Sequence, residues 1–232
     1  MISHQNKCIF VHIPKAAGTS LISVFADRMA KPISREPMPF HLEDNKFDPP
    51  PPHLRALDHV KYGLATRQQF DSYFKFAFVR NPWDRLVSEY KYEGLTRKFS
   101  FKKFLFEHLP KPRWDDHYCH IIPQYDFIFD EQGNQLVNFI GKFENLQLDF
   151  EKVCERIFNS KKKLPFKNKS LSLLNRRDNN LRLFVSNLRN RFSLTGRRNT
   201  FITYQEYYDN ESVEFVRKLY SKDVETFNYH FD

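Results

Sequence analysis

The chain has 232 residues, 41% hydrophobic and 16% aromatic with 25 Phe, which suits one domain with a sizeable core. A mean hydropathy of −0.64, 28% charged residues and no apolar run near the roughly 18 residues of a membrane span exclude a membrane-crossing chain, and three scattered cysteines (Cys8, Cys119, Cys154) exclude a disulfide framework or a zinc site. The formal charge of +9 is local, because residues 161–200 carry twelve Lys and Arg against the single acid Asp178, so a uniformly basic nucleic-acid binder is excluded in favour of a basic arm on a balanced domain.

Residues 7–13, Lys-Cys-Ile-Phe-Val-His-Ile, form a short apolar run closed by Pro14 and predict a buried strand. After Gly18, the spacing of Leu21, Ile22, Phe25 and Met29 predicts a helix, with Thr19 or Ser20 opening its first turn. Residues 31–54 are rich in proline, with four in a row from Pro49 to Pro52, and read as a surface loop. Residues 74–79 are the second strand, after which Asn81-Pro82 starts a helix through Tyr92. Residues 139–143 predict a third strand, followed by a helix with Leu146, Phe150, Val153 and Ile157 on one face. A last helix is expected from Asn210, with Val213, Val216, Tyr220 and Val224 inward. Strands alternating with helices imply an α/β fold, with a central parallel sheet flanked by helices in three layers, of P-loop-like type. The expected organisation is one domain over 1–232 with a basic insertion at about 161–200.

The segment from His12 to Ser20 (His-Ile-Pro-Lys-Ala-Ala-Gly-Thr-Ser) joins the first strand to the first helix, where α/β sheets bind anions on free N–H groups and the helix dipole. Ala16, Ala17 and Gly18 let backbone approach a phosphate, Thr19 and Ser20 add hydroxyls, and Lys15 adds charge. The common nucleotide loop G-x-x-x-x-G-K-[ST] is absent, since Lys15 precedes the glycine. Arg80 follows the second strand and Ser88 lies eight residues on, two turns into the next helix, so both can reach one phosphate. Arg85 is expected to pair at the surface with Asp84 or Glu89, and Trp83 to pack.

Together the two segments resemble the 5′-phosphosulfate loop and 3′-phosphate motif of sulfotransferases that use 3′-phosphoadenosine 5′-phosphosulfate (PAPS), in the order and spacing of the Golgi-type carbohydrate sulfotransferases and their bacterial relatives. The resemblance implies that Lys15, Ala16, Ala17, Gly18, Thr19 and Ser20 hold the 5′ end of PAPS, that Arg80 and Ser88 hold the 3′-phosphate, and that the spent nucleotide PAP is a product. It is close from the first strand to about Phe150 and looser over 207–229.

Sulfuryl transfer to a hydroxyl needs a base for the proton and a cation for the leaving group. Lys15 is the expected cation. His53 opens His-Leu-Arg-Ala-Leu-Asp-His-Val-Lys-Tyr-Gly-Leu, which resembles the segment of heparan sulfate 2-O-sulfotransferases that begins with the catalytic His, so His53 is the expected base, with His59 second and His41 third. His117, His120 and Gln124 form a polar cluster able to line an acceptor cleft, and Asp115, Asp116, His117 and His120 only superficially suggest a metal, so none is expected. A nucleotide kinase or hydrolase would need an acidic strand end for Mg²⁺ where Arg80 stands, and a nucleic-acid binder finds no helix-turn-helix, RRM or zinc-finger pattern. The expected partner is a hydroxylated, carbohydrate-type and anionic acceptor. The polar residues 1–7 carry no signal-peptide pattern, so the expected location is cytoplasmic, although an excised lumenal domain would read the same way.

Overall fold

The computed structural model describes residues 1–25, 53–111, 116–164 and 203–232, with the side chains of Ser23, Asp116 and His117 excepted. Met29, His41, nearly all of the proline-rich loop, Asp115, and the basic stretch from 165 onward with the helix expected around Leu181 to Phe192 lie outside the described residues.

Among the described residues four strands pair in the order β1-β2-β3-β4: β1 Ile2–Ser3, β2 Cys8–Val11, β3 Phe74–Val79 and β4 Phe139–Lys142. The last three are parallel, with Phe10 beside Phe76 and Phe76 beside Phe139, whereas β1 runs antiparallel along the outer edge of β2. The expected parallel sheet is thus a mixed one. β2 is fully buried and β3 nearly so, as an apolar run without polar alternation requires. Helices flank the sheet: α1 Gly18–Phe25, α2 Asp58–Lys61, α3 Arg67–Ser72, α4 Pro82–Tyr92, α5 Phe101–Glu107, α6 Asp116–Cys119, α7 Tyr125–Ile128, α8 Leu146–Phe158, α9 Asn210–Leu219 and α10 Ser221–Phe227. No described helix is long and apolar enough to cross a membrane.

The phenylalanines account for the core. Phe10 stacks on Phe76 at 5.1 Å, and Phe25 of α1 meets Phe76, Phe150 and Phe158 at 5.6, 6.1 and 5.7 Å, which clamps α1 and α8 onto one face of the sheet. Asn81 caps α4 by accepting from Trp83 N at 3.0 Å, with Pro82 in the first turn, so only two residues separate the end of β3 from the helix. Trp83 is fully buried and donates to Val213 O, as its packing role requires. The expected single C-terminal helix is two, broken at Tyr220 (φ −114°, ψ 33°), whose hydroxyl donates to Ile121 O. That bond fixes the break and turns α10 so that Asp223 reaches the start of α7.

Candidate active site

The loop between β2 and α1 has a constrained backbone. Lys15 (φ 66°) and Ala17 (φ 71°) both lie in the left-handed region without being glycine, which costs each about 1 kcal/mol. Alternating hands of this kind turn successive N–H groups toward one side, and the first-turn N–H groups of α1 add to them. Gly18 itself has an ordinary φ. Its missing side chain is needed for another reason: a Cβ there would fall 1.6 Å from His12 Nε2. The glycine expected to admit a phosphate therefore also seats a histidine. Ala16 is buried, Thr19 exposed and Ser20 buried.

The second segment is joined to this loop. Arg80 Nη1 donates to Lys15 O at 3.1 Å and its Nε to Asp84 Oδ2 at 2.8 Å, while the guanidinium lies 4.1 Å from the Phe143 ring. The Arg80 backbone is held as if by another strand: Gln124 accepts from its N–H at 2.8 Å and donates to its C=O at 2.7 Å. Gln124 is in turn fixed by the buried carboxylate of Asp223. Gln124, expected in an acceptor cleft, is fully buried and props Arg80 instead. Ser88 sits half-buried one turn beyond Asp84 on α4.

Arg85 departs from its expected surface pairing. It is 1% exposed and donates to Pro14 O (3.1 Å), Ile122 O (2.8 Å) and His120 O (2.8 Å), tying the loop after β2 to the segment before α7. Three carbonyls satisfy a buried guanidinium, which no adjacent acid is then needed to do.

His53 lies between two other imidazoles, with ring centroids 4.8 Å from His12 and 4.9 Å from His120. His12 is buried, its Nδ1 has no hydrogen-bond partner among the described residues, and burial, with His53 as the next cause, drives its pKa well below the usual value, so it is neutral. His120 Nδ1 meets both carboxylate oxygens of Glu89 at 3.0 and 3.1 Å, and against a carboxylate that nitrogen carries the proton. His59 is 1% exposed, with Nδ1 3.2 Å from the carbonyls of Arg55 and Ala56, and burial pushes its pKa down to about 3. It belongs to the packing of α2 and not to this group of rings.

Lys15 completes the group. Its Nζ lies 3.6 Å from the centroid of the Tyr92 ring, itself 5.8 Å from His120. Burial lowers its pKa to about 8, against which the charges of Glu89 and Glu93 hold the proton on. Glu89, Glu93 and His120 bring two carboxylates and an imidazole within 4.8 Å of one another. The sequence reading found no ligand-type cluster beyond 115–120. This one escaped it because Glu89 looked like a surface partner for Arg85, and the only signal was an acid on the α4 face that also carries Arg85 and Tyr92.

The arrangement is a strained loop with a lysine, an arginine bonded to it, and a histidine group beside it. A model of the Sulfotransferase family matches residues 1–230, and the chain belongs to that family. It is also similar to an uncharacterized protein of Archaeoglobus fulgidus, 36% identical over 96 residues that make up 39% of this chain and 72% of that protein. No solved structure matches it. Sulfuryl transfer to a hydroxyl-bearing acceptor, as a class of chemistry, follows from the membership.

Proposed function

We propose that the protein transfers the sulfuryl group of PAPS to a carbohydrate hydroxyl by in-line displacement, with His53 as general base and Lys15 as the cation on the leaving group. The observation that carries this reading is the bond from Arg80 to the carbonyl of Lys15, which joins the two anion-binding segments into one cradle. In it Lys15, the backbone of residues 16–18, Thr19 and Ser20 serve the 5′ end, and Arg80 with Ser88 serves the 3′-phosphate. The new bond forms between sulfur and the acceptor oxygen. The bond from sulfur to the phosphate oxygen breaks, its electron pair staying with PAP beside Lys15, and the hydroxyl proton passes to His53 and then to water. Lys15 is preorganised for this: its ammonium is already half-desolvated over Tyr92, so it gains most when charge grows on the leaving oxygen. A metal has no assigned role in this scheme. The basic stretch 161–200 supports an anionic acceptor, gathered by long-range attraction.

Binding of PAP measured by calorimetry in the presence of a chelator tests the donor, and mass spectrometry of a carbohydrate panel incubated with PAPS tests the transfer. Arg80→Ala is expected to weaken PAP binding by about 2–4 kcal/mol. His53→Ala is expected to reduce turnover by roughly 10²–10⁴-fold with PAP affinity retained. Unchanged PAP affinity in the first variant, or full turnover in the second, refutes the corresponding assignment.

A further inference from the structure

The family's chemistry asks for a base that becomes positive and a lysine that stays positive. In this chain both are half-buried in a group of rings, where positive charge is costlier than in water. The histidine side holds three imidazoles in a row, His12, His53 and His120, with ring centroids under 5 Å apart. On the lysine side Nζ stands over Tyr92. The two arginines nearby are already satisfied, Arg80 by Asp84 and Arg85 by the carbonyls of Pro14, Ile122 and His120. Lys15 and a protonated His53 are left needing a negative charge, and Glu89 supplies one. It is 3% exposed, its carboxylate grips His120 Nδ1 with both oxygens, and α4 carries it one turn from Arg85 and one turn from Tyr92 and Glu93. Glu93 is only partly buried and adds a second, weaker negative charge beside Lys15.

We propose that Glu89 is the shared counter-charge of the site, a positioning residue that acts on the base through His120 and on the leaving-group cation directly. This rests on the roles of His53 and Lys15 given above. As His53 takes the acceptor proton, the positive charge is stabilised by the Glu89 carboxylate through the imidazole that the carboxylate orients. Glu89 holds His120 with Nδ1 protonated, which leaves its Nε2 as an acceptor on the side away from the carboxylate. The Lys15 ammonium meanwhile feels the same carboxylate as its strongest charged neighbour. One buried anion thus keeps a future cation and a standing cation from repelling each other out of register. A glutamine there would be isosteric but neutral: its amide oxygen could still accept from His120 Nδ1, while the charge and the second acceptor oxygen would be lost.

The test needs no acceptor. Histidine ring signals of the full chain, ¹³C-labelled and assigned with His53→Ala, are titrated by NMR in wild type, Glu89→Gln and Glu89→Asp, and PAP affinity is measured from pH 6 to 9 on the same proteins. In Glu89→Gln the His53 midpoint is expected to fall by roughly one unit, and the pH above which PAP binding declines to fall with it. Glu89→Asp, which keeps the charge, is expected to restore most of both. His120→Asn is expected to lower the His53 midpoint while leaving the PAP profile near wild type, because it cuts only one of the two routes. If Glu89→Gln does not fold, this variant decides alone. A wild-type His53 midpoint in a folded Glu89→Gln, or in His120→Asn, overturns the proposal. Full turnover of His53→Ala instead overturns the assignment of the base, a different failure.

Discussion

Replacing Gly18 by alanine sets two physical effects against each other with opposite signs. Gly18 begins α1, and at a helix start with an ordinary φ, helix propensity makes alanine the better residue by up to about 1 kcal/mol. The structure reverses the sign. The new methyl would lie 1.6 Å from His12 Nε2, 2.2 Å from Cδ2 and 2.5 Å from Cε1, whereas unstrained contacts of this kind need roughly 3.5 Å, so something must move by about 2 Å. The His12 ring cannot retreat, since it stacks on Phe10 at 5.5 Å and meets His53 at 4.8 Å. The start of α1 moves instead, and the anion-binding N–H groups move with it. A destabilisation of about 3 kcal/mol, at the upper end for overpacking, is expected in urea denaturation, with PAP binding lost. His12→Ala in the same background removes the obstacle and should recover a coupling energy of about 1–3 kcal/mol in the double-mutant cycle. A Gly18→Ala protein as stable as wild type and still binding PAP, or strict additivity with His12→Ala, would refute the reasoning.

Lys15→Met should abolish transfer, and the pH dependence has a worked sign. Between a folded pKa of about 8 and the ordinary 10.5 the unfolded chain holds a proton that the folded chain lacks, so wild type should gain stability relative to Lys15→Met as pH rises through that window, while its PAP affinity falls over the same range. Differential scanning fluorimetry and calorimetry at pH 7–10 check both directions. Arg85→Lys leaves at least one of three buried carbonyls without a donor and should cost about 3 kcal/mol or more, read from the urea midpoint. Replacing Arg176, Arg177, Arg197 and Arg198 with Ser should raise the acceptor KM and flatten its salt dependence, with PAP affinity unchanged in parallel calorimetry.

The strands after residue 7 were legible because each is a largely apolar run cut off by Pro14, by Asn81-Pro82 or by Glu144-Asn145, and β2 and β3, buried on both faces, need no alternation. Ile2–Ser3 was not legible, since two residues carry no period, and their pairing is decided by the free edge of β2. The break at Tyr220 was hidden because Val213, Val216, Tyr220 and Val224 keep helical spacing straight through it, and its cause is a hydroxyl bonded to Ile121, distant in sequence. The placement of the two segments expected to meet phosphate, each between a strand and a helix, could be read because residue types and turn signals are local facts. Glu89 and His120 could not be paired in advance: 31 residues separate them, and only the burial of Arg85 brings the segment before α7 down onto α4.

The props behind Arg80 bear on when, during synthesis, the site comes into being. Its guanidinium reaches the Lys15 carbonyl across 65 residues, Gln124 clasps its backbone across 44, and Asp223 secures Gln124 across another 99. None of these contacts can form locally, and parallel strands that pair only after long connections close slowly. A growing chain that has completed the loop, β3 and α4 still lacks the carboxylate that steadies the cradle until α10 has left the ribosome. On the proposed function, a donor nucleotide would therefore meet a finished molecule, with no half-built cradle to capture. Its affinity reports completion of the whole fold, and Asp223→Asn, far from any phosphate, becomes a lesion in nucleotide binding.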